Sequence, residues 1–188
     1  MDLNRFAIKI FAAEPMEVEL PELIPIFHRW IQTHAVEGLL IDVADYSHVV
    51  DGPGILLIGH EANYAFDRSG GRSGLLYARK RPIEGPLAER LYRSTDLALR
   101  ACRELERAPE LAGRLKFRGD QLAVVANDRL LAPNTEAAWG KLEPELTAFL
   151  SRLLPGARCD LEREPDPKER LGVTVKVVGR GLLERPAA

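Results

Sequence analysis

Large apolar residues recur at every second position in the first segment of the chain, as they do in a strand with one buried face. Residues 5–12, RFAIKIFA, place Phe6, Ile8 and Ile10 on the same side, which is the period of two of a half-buried strand. Turns rich in glycine or proline, such as VVDGPG and RSGGRSG, separate other apolar segments and indicate hairpins. Further strands are predicted at residues 39–46, 55–67, 75–81, 114–118, 121–126, 158–163 and 172–178.

Three segments instead repeat their apolar residues at steps of three and four, which is the period of a helix. The first contains ELIPIFHRWI, and the second spans residues 86–108. Cys102 falls in the apolar stripe of the second segment, which favours a buried core thiol over a reactive one. The third segment begins after Asn134 or Thr135, either of which can cap the N-terminus of a helix.

The order of these elements predicts the fold class. Both ends of the chain read strand, helix, strand, turn, strand, so β-α-β-β units at 5–62 and 119–179 flank a central hairpin and helix at 63–110. We therefore predict a single domain over residues 1–188 with an α+β, two-layer architecture, in which helices pack on one face of a mainly antiparallel sheet. The similar spacing of the two units suggests an internal duplication, and the alternative is coincidence, because the unit is common.

One strand is too apolar for a sheet that has a solvated face. The segment GILLIGH is apolar at every position from Ile55 to Ile58, whereas a strand with one wet face alternates. Either this strand is central and covered on both sides, or the open face of the sheet packs on a second subunit. The sequence therefore predicts a homodimer or another homo-oligomer.

Composition and charge exclude some classes of function without naming one. Hydrophobic residues make up 46% of the 188 residues, charged residues make up 29%, and the formal net charge is -2. A nucleic-acid-binding domain of this size is usually basic, so the charge argues against a nucleic-acid partner. No apolar run approaches the roughly 20 residues that span a bilayer, and the N-terminus lacks a signal-peptide pattern. We expect a cytoplasmic protein without membrane association.

The stretch DVADYSHVVDGPGILLIGHE, residues 42–61, holds the groups that could form an active site. Folding it about DGPG pairs Asp45 with His60, and a carboxylate beside an imidazole is a minimal acid–base pair. His48 and Glu61 complete this candidate catalytic set. Two histidines and a carboxylate can also hold a divalent metal, but HxH and HExxH spacings are absent, so we predict no metal site and no cofactor. The alternative is structural, because such side chains often hydrogen-bond the backbone of a turn.

A second cluster is basic and surrounds the glycine-rich turn RSGGRSG. Its candidate anion-binding residues are Arg68, Arg72, Arg79 and Arg81. Glycines let the backbone approach a phosphate and arginines bind it in a bidentate fashion, but the GK[ST] of a phosphate-binding loop is absent, and a solvated hairpin tip is the alternative. The flanking Tyr64, Phe66 and Tyr77 could stack on a nucleobase or pack across strands.

No motif in this chain names a reaction. The leading hypothesis is a small self-associating binding or interaction protein, with a second copy or another protein as its partner. The rival is a small enzyme that uses the Asp45 and His60 pair. A third hypothesis is anion or nucleotide binding through the basic hairpin at residues 68–81.

Overall fold

The structure, a computed structural model, describes residue 1, residues 3–179 and residues 181–184. Its strands are β1 (Phe6–Ala12), β2 (Leu40–Tyr46), β3 (Gly54–Gly59), β4 (Ala62–Asp67), β5 (Gly74–Arg79), β6 (Phe117–Ala126), β7 (Arg158–Arg163) and β8 (Gly172–Val178). Its α-helices are α1 (Leu23–Thr33), α2 (Leu87–Glu106) and α3 (Glu136–Leu153). The predicted α+β architecture is confirmed.

All of these strands belong to one sheet, in the order β2-β3-β4-β5-β1-β6-β8-β7. Every neighbouring pair is antiparallel. Strands β2 and β7 form the two edges, and β1 lies near the centre between β5 and β6.

The three helices cover one face of the sheet, which we call the helix face. Phe6, Ile8 and Ile10 of β1 point to this face and are fully buried in the core together with Phe27 of α1 and Phe149 of α3. The segment is a strand as predicted, but the expectation of one buried face is wrong, because all seven residues of β1 are buried. The helices form because their apolar residues recur at helical spacing, so that each helix presents a stripe to the sheet.

The last helix starts where its capping residue predicts. The Thr135 hydroxyl accepts a hydrogen bond from the Ala138 amide at 3.3 Å, which satisfies one of the amides that the first turn leaves without a helical partner. Of the two candidate caps, Thr135 takes this role. Asn134 is buried, and its side chain instead donates to the carbonyl oxygens of Glu164 and Asp166.

Two strand predictions are wrong in their boundaries. The segment 55–67 is not one strand, because the chain reverses after Gly59 and continues as β4. A Cβ at Gly59 would lie 2.5 Å from the Ala62 carbonyl oxygen, so the turn is too tight for any side chain there. Conversely, the predicted strands 114–118 and 121–126 merge into β6, which bends where its register with β1 shifts between Ile10 and Ala12.

The order β-α-β-β occurs at both ends of the chain, but the strands pair differently. In the second unit β6, β8 and β7 are adjacent, whereas in the first unit β4 and β5 lie between β3 and β1. The structure therefore does not establish the internal duplication, which stays a prediction.

The face opposite the helices, which we call the open face, carries apolar side chains from β3, near one edge, to β6, on the far side of the central strand β1. Leu56 and Ile58 of β3, Leu76 and Ala78 of β5, and Val125 of β6 are half-buried there by their neighbours. A solvated face of an antiparallel sheet is normally polar. This face departs from that rule, as the unbroken apolar run in β3 predicts.

Candidate functional site

The predicted pairing of Asp45 with His60 is wrong. Strand β2 pairs with β3 so that Asp45 lies opposite Ile55, and the His60 amide donates to the Leu39 carbonyl at 2.8 Å, at the other end of the hairpin. Five residues of strand, about 16 Å, separate the two side chains along the hairpin. The reason is the loop that joins β2 to β3. It is longer than the four-residue turn expected at DGPG, because the strands begin to pair only at Tyr46 and Gly54.

At the wide end of the hairpin, Asp45 supports the turn. Its Oδ1 accepts a hydrogen bond from the Ser47 amide at 2.8 Å. Hydrogen bonds from Ser47 lower the pKa of the Asp45 carboxyl, as is typical of an aspartate that closes an Asx turn. The His48 ring stacks on Tyr46, with ring centroids 6.4 Å apart. These contacts match the structural alternative for Asp45 and His48.

A cleft of about 550 Å³ lies beside this turn, and we call it the turn cleft. Its lining includes His48 and Arg68, together with the carboxylates of Glu14 and Asp51. The Asp51 carboxylate is already engaged, since it accepts a hydrogen bond from the Gly70 amide at 2.9 Å. The structure thus joins the hairpin turn and the basic tip, but the cleft carries charges of both signs rather than the positive lining that a phosphate requires.

Arg72 points away from the turn cleft and lies on the open face. Its guanidinium stacks on the Phe11 ring at 3.6 Å and also bonds the Gln121 side chain. Beneath this loop, Lys9 and Asp67 form a buried ion pair, with side-chain exposures of 7% and 6%. The loop at 68–73 therefore covers a buried charge pair, and Arg72 is a packing residue in this state.

At the narrow end of the hairpin the structure brings together two residues that the sequence analysis assigned to different sites. Glu61 and Arg79 line a second cleft, of about 340 Å³, which we call the strand-end cleft. Glu61 Oε2 accepts a hydrogen bond from the Leu39 amide at 3.2 Å. This bond is the main reason why the pKa of Glu61 is lowered, and His60 and Arg79 add to the effect. His60 itself is exposed.

The Arg79 side chain is held in place by two hydrogen bonds. Its Nε donates to the Arg81 carbonyl at 2.8 Å, and its Nη1 donates to the Tyr77 hydroxyl at 3.2 Å. Arg81 thus contributes its backbone, while its side chain is exposed. The four predicted anion-binding arginines do not form one cluster. Arg68 lines the turn cleft, Arg72 lies on the open face, Arg79 lines the strand-end cleft, and the exposed Arg81 side chain lines neither cleft.

The aromatic residues near the basic tip are not available to a nucleobase. Tyr64 and Tyr77 are cross-strand partners with ring centroids 5.1 Å apart, and both are 1% exposed on the helix face. Phe66 is fully buried. Burial raises the pKa of both tyrosines, so each keeps its proton at neutral pH. The cross-strand alternative is confirmed.

Sequence reasoning missed several residues of these sites. They include Lys9, the Tyr77 hydroxyl as a polar group, and Arg93 of α2, which also lines the strand-end cleft. The neighbours of Lys9 in β1, Ala7 and Phe11, are themselves apolar, and this signal could have shown that both faces of β1 are buried. The placement of Arg93 depends on how α2 lies over the sheet, and no local pattern encodes that.

Within the described residues, no three histidine, cysteine, aspartate or glutamate side chains are arranged so as to hold a metal ion. None of the described helices has the length and apolar character needed to cross a membrane. Comparison of the chain with protein-family models, with curated proteins and with solved structures finds no match. The fold defines an α+β protein in which the described helices cover one face of the sheet and leave the open face without a helix.

Proposed function

We propose that the protein is a self-associating binding module that forms a homodimer through the open face of its sheet. The observation that supports this most directly is the apolar character of that face. Leu56, Ile58, Leu76 and Val125 stand on four positions where a solvated sheet would carry polar side chains. An apolar centre with a charged periphery is the composition of a protein–protein interface.

The size of the open face suits a stable dimer. Eight strands spaced about 4.8 Å apart, each about 20 Å long, give a sheet of roughly 770 Å², and the loop at 68–73 occupies the part of it above Lys9 and Asp67. Specific interfaces bury about 800 Å² on each partner. Two such faces can pack with their strands about 30° apart, as the two sheets of a β-sandwich do.

The charges on the open face favour a second copy of this chain as the occupant. Lys9 is paired with Asp67, Lys176 with Glu162, and Arg158 with Asp160. Because these pairs are neutral within one chain, two identical faces can meet without repulsion between like charges. A strongly charged partner would bind best to a face with an excess of the opposite charge, and these three ion pairs give the open face no such excess.

Two further features are compatible with the proposed module. Cys102 and Cys159 are free thiols, which supports a reducing compartment such as the cytoplasm. The rival reading as an acid–base enzyme loses its basis, because Asp45 and His60 lie at opposite ends of the hairpin.

Sedimentation equilibrium across micromolar concentrations tests the proposal. We expect the mass of two chains for the wild-type protein. Leu76→Arg and, separately, Leu56→Arg place a charge in the centre of the interface and should weaken the dimer by about 100-fold or more. Leu130→Arg is the matched control, because Leu130 is 95% exposed in the loop after β6, and it should leave the dimer intact.

Circular dichroism shows whether each variant is folded, and both arginines can extend into solvent in a monomer. A wild-type mass of one chain at all concentrations would refute self-association. A dimer that survives both open-face substitutions would refute the choice of interface.

A further inference from the structure

The strand-end cleft lies on the helix face and is independent of the proposed dimer interface. It opens between α2 and the loop that follows α1, above the ends of β3, β4 and β5. Small residues, Gly38, Gly59 and Ala62, form part of its lining, and they leave a gap there that larger side chains would fill. Its volume of about 340 Å³ lies at the lower end of the roughly 300–1,000 Å³ found for small-molecule sites.

One side of the cleft offers hydrogen-bond donors with positive charge. Arg79 is fixed by its bonds to the Arg81 carbonyl and the Tyr77 hydroxyl, so its guanidinium is oriented before any ligand arrives. The Tyr77 hydroxyl accepts from Arg79, and within the described chain it donates to no other group. Arg93 also lines the cleft, but its guanidinium already pairs with Glu89 one turn earlier on α2. A guanidinium and a neutral hydroxyl are the groups that bind a carboxylate well.

The same cleft also carries negative charge. Glu61 and Glu37 both contribute to its lining. Glu61 uses Oε2 for the Leu39 amide, and its lowered pKa keeps it ionised at neutral pH. Because Arg93 is paired within α2, Arg79 and Glu61 are the charges of opposite sign that a ligand would meet in the cleft, and a ligand that is only an anion or only a cation would satisfy one of them and not the other.

The remaining lining is aliphatic. Leu40, Ile83 and Leu97 contribute apolar surface, which suits a short hydrocarbon side chain better than a sugar or a nucleobase. A ligand with one carboxylate, one ammonium and a branched aliphatic side chain matches all three parts of the cleft.

We propose that the strand-end cleft binds a free aliphatic amino acid as its zwitterion. The ligand carboxylate meets Arg79 and the Tyr77 hydroxyl, the ammonium meets Glu61, and the side chain packs on Leu40 and Leu97. This ligand class follows from the cleft alone and does not depend on the dimer.

The test is a titration of the full-length protein followed by methyl NMR and calorimetry. L-leucine is the probe, 4-methylpentanoate lacks only its ammonium, and 3-methylbutylamine lacks only its carboxylate. We expect saturable shifts of the Leu40, Ile83 and Leu97 methyl signals with L-leucine. Each probe that lacks one charged group should bind at least about tenfold more weakly, because Arg79 or Glu61 then has no charged partner in the ligand.

Two variants test the two ends of the ligand separately. Arg79→Gln and Glu61→Gln should each weaken L-leucine by about tenfold or more, and Glu61→Gln keeps an oxygen for the Leu39 amide. Arg81→Gln is the matched control, since the exposed Arg81 side chain lies outside the lining, and it should bind like the wild type. Thermal unfolding of all three variants establishes that they fold.

Several outcomes would overturn the proposal. They are no saturable shift up to about 10 mM L-leucine, equal binding of the three probes, or shifts confined to methyl groups outside the cleft. Retention of full affinity in both Arg79→Gln and Glu61→Gln would overturn it as well.

Discussion

The buried ion pair of Lys9 and Asp67 gives a sharp test of how this sheet is stabilised. The Lys9 ammonium contacts Asp67 and donates to the Ser69 carbonyl at 3.2 Å, while Asp67 also accepts from the Ser69 hydroxyl at 2.6 Å. Desolvation outweighs the attraction of Asp67, so the pKa of Lys9 is lowered from its usual 10.5. Because a buried ion pair is often no more stabilising than apolar side chains of similar volume, we expect no net gain from this pair compared with an apolar one.

Removing one partner should be far more costly than removing both. Lys9→Met leaves a buried carboxylate and Asp67→Leu leaves a buried ammonium, and each should lower the free energy of unfolding by about 3–5 kcal/mol. With a urea m-value of about 2 kcal/mol/M, this corresponds to a midpoint about 1.5–2.5 M lower. The double variant should be within about 1 kcal/mol of the wild type, or more stable.

Urea unfolding followed by circular dichroism measures all four corners of this double-mutant cycle. Lys176→Met is the control, because Lys176 lies on the same face but is 45% exposed and pairs with Glu162; it should change stability by less than about 1 kcal/mol. The reasoning is refuted if Lys9→Met costs no more than Lys176→Met, or if the two single costs simply add.

Because the pKa of Lys9 is lowered, the free energy of unfolding should also depend on pH in the alkaline range. The folded protein releases the Lys9 proton at a lower pH than the unfolded chain, whose lysine titrates near 10.5. Between these two values the unfolded state binds more protons, so wild-type stability should gain a contribution from Lys9 as pH rises. That contribution should be absent from Lys9→Met, as alkaline urea titrations of the two proteins will show.

Two other predictions concern an acid group and a turn. A hydrogen bond from Arg114 lowers the pKa of Glu22 from 4.5 to about 2, so the carboxylate stabilises the fold above pH 4.5 and this contribution is lost as pH falls through about 2. Glu22→Gln should therefore melt at a lower temperature than wild type at neutral pH and converge with it in strong acid; parallel melting curves at all pH values would contradict this. Gly59→Ala should destabilise by about 1–3 kcal/mol, because its Cβ meets a carbonyl oxygen at 2.5 Å. Gly140→Ala, a helix position with open space around it, should instead stabilise the protein by about 0.5–1 kcal/mol. If both variants shift the unfolding midpoint in the same direction, the difference in space around the two glycines does not determine their stability.

The fold class could be predicted because the spacing of apolar residues in each segment indicates which of its side chains are buried. The large apolar residues of β1 and the stripes of α2 and α3 define which side of each element faces the core. Since those sides must all be covered, a sheet with helices on one face follows. Pairing between distant segments, such as β1 with β6, is set by the whole core and by no single stretch.

The prediction of the Asp45 and His60 pair was wrong because it depended on the register of one hairpin, which local patterns do not determine. Shifting the turn in β2–β3 changes which residues face each other, and pairing Asp45 with Ile55 rather than with His60 separates the predicted acid and base. Ile55 and Leu57 form the fully buried side of β3, but the unbroken apolar run from Ile55 to Ile58 does not distinguish the two sides of this strand. Turn geometry, rather than hydrophobic pattern, decides the register here.

Two lysines with the same local pattern show why the open face could not be predicted from sequence alone. Lys9 in AIKIF and Lys176 in TVKVV both occupy open-face positions between inward-facing apolar residues. Lys9 is buried because the loop at 68–73 folds over the central strand β1 and supplies the Ser69 carbonyl, whereas Lys176 lies beside the edge strand β7 and stays 45% exposed. The difference arises from a loop more than fifty residues away from Lys9. A dimer built on this face would keep Lys176 at the wet rim and would need no further desolvation of Lys9, because the fold of one chain has already removed that charge from water.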